Sequence, residues 1–131
     1  MNKTITIQSN LDNLSHVERL VDEISEKYSL SSELYGKILI ATIEAVNNSI
    51  VHGNKLDSSK VVDVRVEITN SRVQIYVKDQ GQGFDYNTVP DPTLPENIEN
   101  VSGRGVFLMK NLADKISFNP EGTQVELVFN I

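Results

Sequence analysis

The amino-acid sequence predicts an α+β protein: a two-layer α/β sandwich with helices on one face of a mixed, largely antiparallel sheet. Three observations lead there. Apolar residues recur at spacings of three and four between Leu11 and Ile50. Two segments then alternate apolar and polar residues around the turn-like Asn70-Ser71-Arg72. A mostly apolar segment, Val106 to Ala113, precedes two strand-like segments joined by Pro120-Glu121-Gly122. The order β-α-α-β-β-loop-α-β-β, with short reversals between strands, favours antiparallel neighbours covered by segregated helices.

A length of 131 residues fits one domain, 1–131, and a chain of this size buries roughly two-thirds of its unfolded surface. Hydrophobic and charged fractions of 39% and 23% place it in the globular class. No apolar run approaches the ~20 residues of a membrane span, and the alternating start Met-Asn-Lys-Thr-Ile-Thr-Ile lacks a secretory apolar core. There is no cysteine, which excludes disulfides and thiolate metal sites and fits a cytoplasmic location. A net charge of −6 leaves no basic stripe for nucleic acid. An anionic small ligand needs only local donors and is not excluded.

In chain order, Thr4 to Gln8 alternates and reads as a short strand. Ser9 or Asn10 can cap a helix over 11–28, whose stripe is Leu11, Leu14, Val17, Leu20, Val21, Ile24 and Tyr28. Ser31 or Ser32 caps a second helix with Glu33 in its first turn. Its large apolar residues Tyr35, Leu39, Ile43, Val46 and Ile50 fall within about a quarter-turn of arc. That stripe predicts Glu44 and Asn48 on roughly the opposite side, flanked by Ile40, Ala41 and Val51. His52-Gly53-Asn54 ends the helix, with Gly53 as its C′ residue. Val62 to Ile68 and Val73 to Val77 form a hairpin with one buried and one wet face. A loop of 84–102 follows, with Pro90, Pro92 and Pro95 and no periodicity; loops this long inside compact domains are commonly functional. Gly103-Arg104-Gly105 opens the next helix, Lys115 to Asn119 is a strand, and Thr123 to Ile131 is the last strand.

Three polar constellations stand out. Glu44 and Asn48, one turn apart, share a helix face. They fit a merely solvated face, or a metal-assisted site in which the carboxamide oxygen is a hard ligand suited to Mg²⁺ and Glu44 a general base. Asp79-Gln80-Gly81-Gln82-Gly83 fits a glycine-rich turn, or an acidic acceptor for an exocyclic amine with glycines allowing close approach to a planar base. Gly103-Arg104-Gly105 fits a flexible helix entry, or a phosphate cradle of free N–H groups with Arg104 beside it; it is not a Walker loop. His16 reads as a helix-surface residue. His52, one turn past Asn48, fits either a helix end or a position facing phosphates.

In this order the three elements resemble the N, G1 and G2 boxes of the GHKL ATPase/kinase superfamily, with its Bergerat ATP-binding fold. Gly122-Thr123 fits the Gly-Thr carried at the start of the family's last strand. Within the superfamily the chain looks most like the small anti-sigma factor serine/threonine-protein kinases. Glu44-Ala45-Val46-Asn47-Asn48, His52-Gly53 and Gly105-Val106-Phe107-Leu108-Met109 carry that likeness. The resemblance implies ATP and Mg²⁺ as cofactors, Asn48 as metal ligand and Glu44 as catalytic base toward a serine or threonine hydroxyl. It implies Asp79 on the adenine amino group, supported by Thr123, with Gly81 and Gly83 against the base. Gly103, Arg104 and Gly105 would approach the phosphates, and 84–102 would be the ATP lid. Two departures are the Arg at 104, where an apolar residue is often found, and a lid without Lys or Arg. They leave the phosphates to backbone amides, Arg104 and Lys110.

The implied function is phosphorylation of an anti-anti-sigma (STAS) partner combined with binding of a sigma factor, as a homodimer formed through the N-terminal strand and first helix. The alternative is a nucleotide-gated binding module that transfers little phosphate. A third reading is a detached histidine-kinase catalytic domain, which a partner phosphorylated on histidine would favour.

Overall fold

The computed structural model describes residues 2–82 and 101–131 and, for 101–104, the backbone alone. Strand β1 (Asn2–Gln8) starts two residues before its alternation becomes visible, because Asn2 and Lys3 pair with Glu67 and Val66. The Asn10 side chain accepts from the Asp12 N–H at 2.9 Å and caps a 3₁₀ turn, Leu11–Asn13, that leads into α1 (Leu14–Tyr28). Helix α1 buries Val17, Leu20, Val21 and Ile24. Ser29, left-handed at φ 51°, ends it, and the Leu30 N–H reaches back to the Ser25 carbonyl at 3.0 Å.

Helix α2 (Ser32–Asn48) begins where the Ser31 hydroxyl accepts from the Leu34 N–H at 3.1 Å. Its buried positions are Ile38, Ala41, Thr42, Ala45 and Val46. This corrects the expected stripe: Val46 and Ile50 are buried, but Tyr35, Leu39 and Ile43 only partly so. The true stripe is turned by roughly a quarter-turn toward the Glu44–Asn48 edge. Small side chains at 41 and 45 let neighbouring backbone come close there, and that outweighs the larger residues beside them. Glu44 and Asn48 therefore flank the core rather than oppose it, and both are half-buried.

The helix also does not stop at Gly53. It widens into a π-helical turn, Ser49–Gly53, in which the Asn54 N–H bonds the Ser49 carbonyl at 2.8 Å. The Leu56 N–H then bonds the Ile50 carbonyl at 2.8 Å, with Lys55 at φ 53° in the left-handed position expected for Gly53. What requires glycine at 53 is a neighbour from another strand, described below.

Strands β2 (Val61–Ile68) and β3 (Arg72–Lys78) form the expected hairpin. Helix α3 (Val101–Leu112), β4 (Lys115–Phe118) and β5 (Gln124–Asn130) complete the described chain. The sheet order is β1-β2-β3-β5-β4, and every described pairing is antiparallel. One face, with Val62, Val64, Val66, Val73, Ile75, Val77, Leu127 and Phe129 fully buried, packs against the helices. The other carries Asp63, Arg65, Glu67, Gln74, Tyr76 and Glu126, with the Arg65 guanidinium 4.2 Å from the Tyr76 ring centre. No described helix is long and apolar enough to cross a membrane.

Helix α3 starts at Val101, so Gly103-Arg104-Gly105 lies inside its first turns rather than ahead of it. Glycine lowers helix propensity by about 1 kcal/mol but does not forbid the conformation. The close packing of Gly105 on α2, described below, offsets that cost.

Thr42 sits in the buried stripe at 0% exposure, and its hydroxyl has no hydrogen-bond partner among the described residues. The isosteric Thr42→Val removes an unsatisfied buried group, so we expect stabilisation of about 1 kcal/mol. Thermal unfolding should show a midpoint about 3 °C higher; an unchanged or lower midpoint would mean that the hydroxyl is satisfied.

Candidate functional site

An open cleft lies where the end of α2, helix α3 and the ends of β3 and β5 meet. Ala45, Val77, Met109, Phe118 and Val125 make its walls apolar. Asn48, Ser49, His52, Asp79 and Thr123 put polar groups around them. An apolar slot with a few convergent polar groups is the usual form of a small-molecule site.

Asp79 follows β3 and is only 7% exposed. Its backbone N–H donates to the Thr123 carbonyl at 2.9 Å, one step beyond the Lys78–Gln124 pair of the β3–β5 ladder. The two residues therefore stand side by side at one end of adjacent strands. Burial pushes the Asp79 carboxyl above its ordinary range, while hydrogen bonds from the Gly81 N–H (2.8 Å) and the Ser49 hydroxyl pull it back. A carboxylate kept out of water, with capacity left to accept, suits a ligand that brings N–H donors.

Two glycines make room for it. A Cβ on Gly53 would strike the Asp79 carboxylate, 2.5 Å from its carbon. A Cβ on Gly81 would strike the Gly53 carbonyl, 2.6 Å from its carbon. The helix end and the turn after β3 thus meet backbone to backbone. Asn54, 1% exposed, locks them together. Its Oδ1 accepts from the Gln80 N–H at 2.8 Å, and its Nδ2 donates to Ser9 Oγ (2.7 Å) and the Val61 carbonyl (3.0 Å). Gln80 Oε1 returns a bond by accepting from the Val61 N–H at 2.7 Å. Sequence reasoning treated Asn54 only as a helix stop. Its position beside the close-packed Gly53 was the available signal, but the partners it joins are remote in the chain.

Asn48 reaches the cleft from α2. Its Oδ1 is buried with no hydrogen-bond partner among the described residues. A buried amide oxygen left unpaired costs about 1–3 kcal/mol, so it is an acceptor awaiting a donor or a cation. Gly105 of α3 packs directly on this amide: a Cβ there would lie 2.8 Å from Asn48 Nδ2 and 3.2 Å from Oδ1. Among the described residues no cluster of three His, Cys, Asp or Glu side chains could hold a metal. A cation at Asn48 would therefore take most of its ligands from water or from a bound anion.

Of the residues singled out in the sequence, the structure brings Asn48, Asp79 and Thr123 to the cleft, with Gly81 packed against Gly53 and Gly105 against Asn48. Glu44 is half-buried on α2 but is not among the cleft's lining residues. Gly103 and Arg104 belong to the first turn of α3, whose backbone N–H groups have no partner within the helix; the Arg104 side chain, Gly83 and loop residues 84–100 lie outside the described residues. Residues 101 and 102, expected in the loop, are helical.

Fold and cleft together define a class: an α+β sandwich with a small-ligand site between its helices and the strand ends. Comparison with known proteins identifies it further. Residues 7–129 match the histidine kinase-like ATPase domain family, and the chain belongs to that family. It is 31% identical over 97 residues to the serine-protein kinase RsbW of Staphylococcus epidermidis, covering 68% of this chain and 61% of that one. It is 32% identical over 89 residues to RsbW of Staphylococcus aureus strain JH9, covering 63% of this chain and 56% of that one. The chain thus spans about three-fifths of the length of these curated relatives. The crystal structure of the RsbU and RsbW domains of a Mycobacterium tuberculosis protein superposes with a TM-score of 0.69 at 18% identity, over 98% of this chain and 32% of that one. At that identity the likeness shows the fold alone.

Proposed function

We propose that residues 1–131 act as one ATP- and Mg²⁺-dependent protein serine/threonine kinase domain of the anti-sigma type, which phosphorylates an anti-anti-sigma (STAS) partner and binds a sigma factor. The observation that carries this reading is the orphaned Oδ1 of Asn48, buried beside a cleft that the Asp79 carboxylate also lines. In this reading Asp79 accepts from the adenine amino group with Thr123 beside it, and Gly81 and Gly83 lie against the base. Gly103, Arg104 and Gly105 approach the phosphates, and the segment expected over 84–102, whose last two residues open α3, covers them as a lid. Asn48 holds Mg²⁺, a hard cation that keeps several waters and takes its remaining ligands from phosphates. When bound, the ion supplies charge neutralisation on the transferring phosphoryl group. Glu44 takes the proton from the acceptor hydroxyl, a contribution typically worth about 10²–10⁴-fold. Strand β1 is an edge of the sheet, bonded only to β2 among the described strands, which supports a homodimer built on that edge. The absence of cysteine supports a cytoplasmic setting.

A second reading, a nucleotide-gated binding module with little phosphate transfer, is favoured by one observation: Glu44 does not line the cleft. Two measurements separate the readings. Titration of ATP with and without Mg²⁺ should show a metal-dependent gain for the wild type that Asn48→Ala loses; equal, metal-independent binding by both would remove the metal assignment. Incubation with labelled ATP and a STAS protein should transfer phosphate to serine or threonine, with Glu44→Ala slower by at least about a hundredfold and its ATP affinity unchanged. ATP binding without any transfer by the wild type would leave the binding module standing.

A further inference from the structure

Asn119 follows β4, at the start of the tight connection Pro120-Glu121-Gly122 that leads to β5. The connection is closed by backbone bonds from the Gly122 N–H to the Asn119 carbonyl (3.0 Å) and from the Asn119 N–H to the Gln124 carbonyl (3.0 Å). Gly122 takes φ 73° within it. The Asn119 side chain folds inward. Its Oδ1 accepts from two backbone donors, the N–H groups of Thr123 (2.8 Å) and Gln124 (3.0 Å). Those donors fix which end of the amide is oxygen, an assignment that geometry alone often leaves open. The Nδ2 end must then face Thr123 Oγ1, 2.8 Å away.

That orientation has a chemical consequence. A threonine hydroxyl has one proton to donate and two lone pairs to accept with. Asn119 Nδ2 can only donate, so it occupies a lone pair of Thr123 Oγ1 and cannot take its proton. Among the described residues no other group accepts from that hydroxyl. Thr123 lines the cleft beside Asp79, so its proton is left for whatever enters. The pair then presents an acceptor, the Asp79 carboxylate, next to a donor, the Thr123 hydroxyl. The edge of adenine offers the complement: a donor at its amino group and an acceptor at ring nitrogen N1. A 6-oxopurine reverses both.

We infer that Asn119, which does not line the cleft, is a positioning residue that sets the hydrogen-bond polarity of Thr123 and thereby selects 6-aminopurine over 6-oxopurine nucleotides. This rests on the reading of the cleft as the nucleotide site. Asn119→Asp tests it with little change of shape. The carboxylate still accepts from the N–H groups of Thr123 and Gln124, so the turn should hold and the melting temperature stay near that of the wild type. What changes is the other end: an acceptor replaces Nδ2, draws the Thr123 proton to itself and turns a lone pair toward the cleft.

The experiment measures ATP and ITP (inosine triphosphate) affinity for wild type, Asn119→Asp, Thr123→Val and the double variant. We expect Asn119→Asp to weaken ATP about tenfold, the scale of one lost hydrogen bond, and to weaken ITP less, so that the ATP:ITP preference shrinks. In the Thr123→Val background the same change should cost less than about twofold, because no hydroxyl remains to reorient. An unchanged preference in Asn119→Asp, or an equal loss with and without the Thr123 hydroxyl, would overturn the assignment while ATP binding by the wild type keeps the nucleotide reading intact. A wild type that binds neither nucleotide would overturn the nucleotide reading itself. Should the Asp variant fold poorly, Asn119→Ala removes the same donor without adding charge. Because alanine also removes the acceptor for the Thr123 and Gln124 N–H groups, the readout is the ATP:ITP ratio: it should fall in the Thr123 background and stay unchanged in Thr123→Val, even if both affinities drop together.

Discussion

Gly81→Ala is expected to abolish ATP binding and to destabilise the protein by about 3 kcal/mol, at the upper end of overpacking costs. The added methyl would strike the Gly53 carbonyl, 2.6 Å from its carbon, and come within 3.1 Å of Asp79 Oδ1. No side-chain rotation relieves a collision with backbone. Either the turn after β3 or the end of α2 must move. Moving the turn breaks the Gly81 N–H bond to Asp79 (2.8 Å), the Gln80 N–H bond to Asn54 (2.8 Å) and the bond from the Val61 N–H to Gln80 (2.7 Å). Each of these holds Asp79 at the cleft. Isothermal titration of ATP and thermal unfolding would check the two effects together. Wild-type affinity in a folded Gly81→Ala protein would show that the turn can separate from the helix end without moving the carboxylate.

That collision also explains which parts of the molecule the sequence made legible. The β2–β3 hairpin and the inward residues of α1 follow from local periodicity, because each strand or helix face repeats at a fixed step. The stripe of α2 departs from the expected one because bulk alone does not decide burial. Tyr35, Leu39 and Ile43 outweigh Ala41 and Ala45 in bulk, yet the alanines lie on the buried stripe. On the same side of the helix, Gly105 of α3 comes down on Asn48. Only the position of α3, remote in the chain, determines that. Gly53 illustrates the same point: its local context suggests a helix cap, and its actual reason is the carboxylate of Asp79 twenty-six positions later. Asn48, Asp79 and Thr123, which the resemblance to the GHKL superfamily singles out as a set, do meet at one cleft. Asn54 and Asn119, which position them, are not singled out in that way. A buried asparagine in a turn resembles any turn asparagine until its partners are known.

Asp79→Asn should separate binding from stability. Asp79 is buried, and that burial raises its carboxyl pKa despite the bonds from Gly81 and Ser49. A group whose folded pKa exceeds its unfolded value contributes stability that is fully present below the unfolded pKa. That contribution is lost as pH rises through the folded one. At neutral pH the ionised side chain is therefore a cost to the empty protein. Asparagine keeps an oxygen for the Gly81 N–H and carries no charge to desolvate, so the variant should melt at or above the wild-type temperature at pH 7. Its advantage should fade as pH falls through the raised carboxyl range and the wild type takes up its proton. Binding runs the other way. In the nucleotide reading proposed above, the single amide oxygen is held by Gly81, and an NH₂ group in place of the second oxygen would oppose the amino group of adenine. Loss of a charged hydrogen bond on this scale weakens ATP by about a hundredfold. Wild-type affinity should also fall on acidification at a higher pH than an ordinary aspartate would dictate, and the variant should lack that component. Calorimetry and ATP titration at matched pH values give both readings. A variant that lost stability at pH 7, or kept wild-type ATP affinity, would show that the Asp79 charge is structural rather than reserved for the ligand.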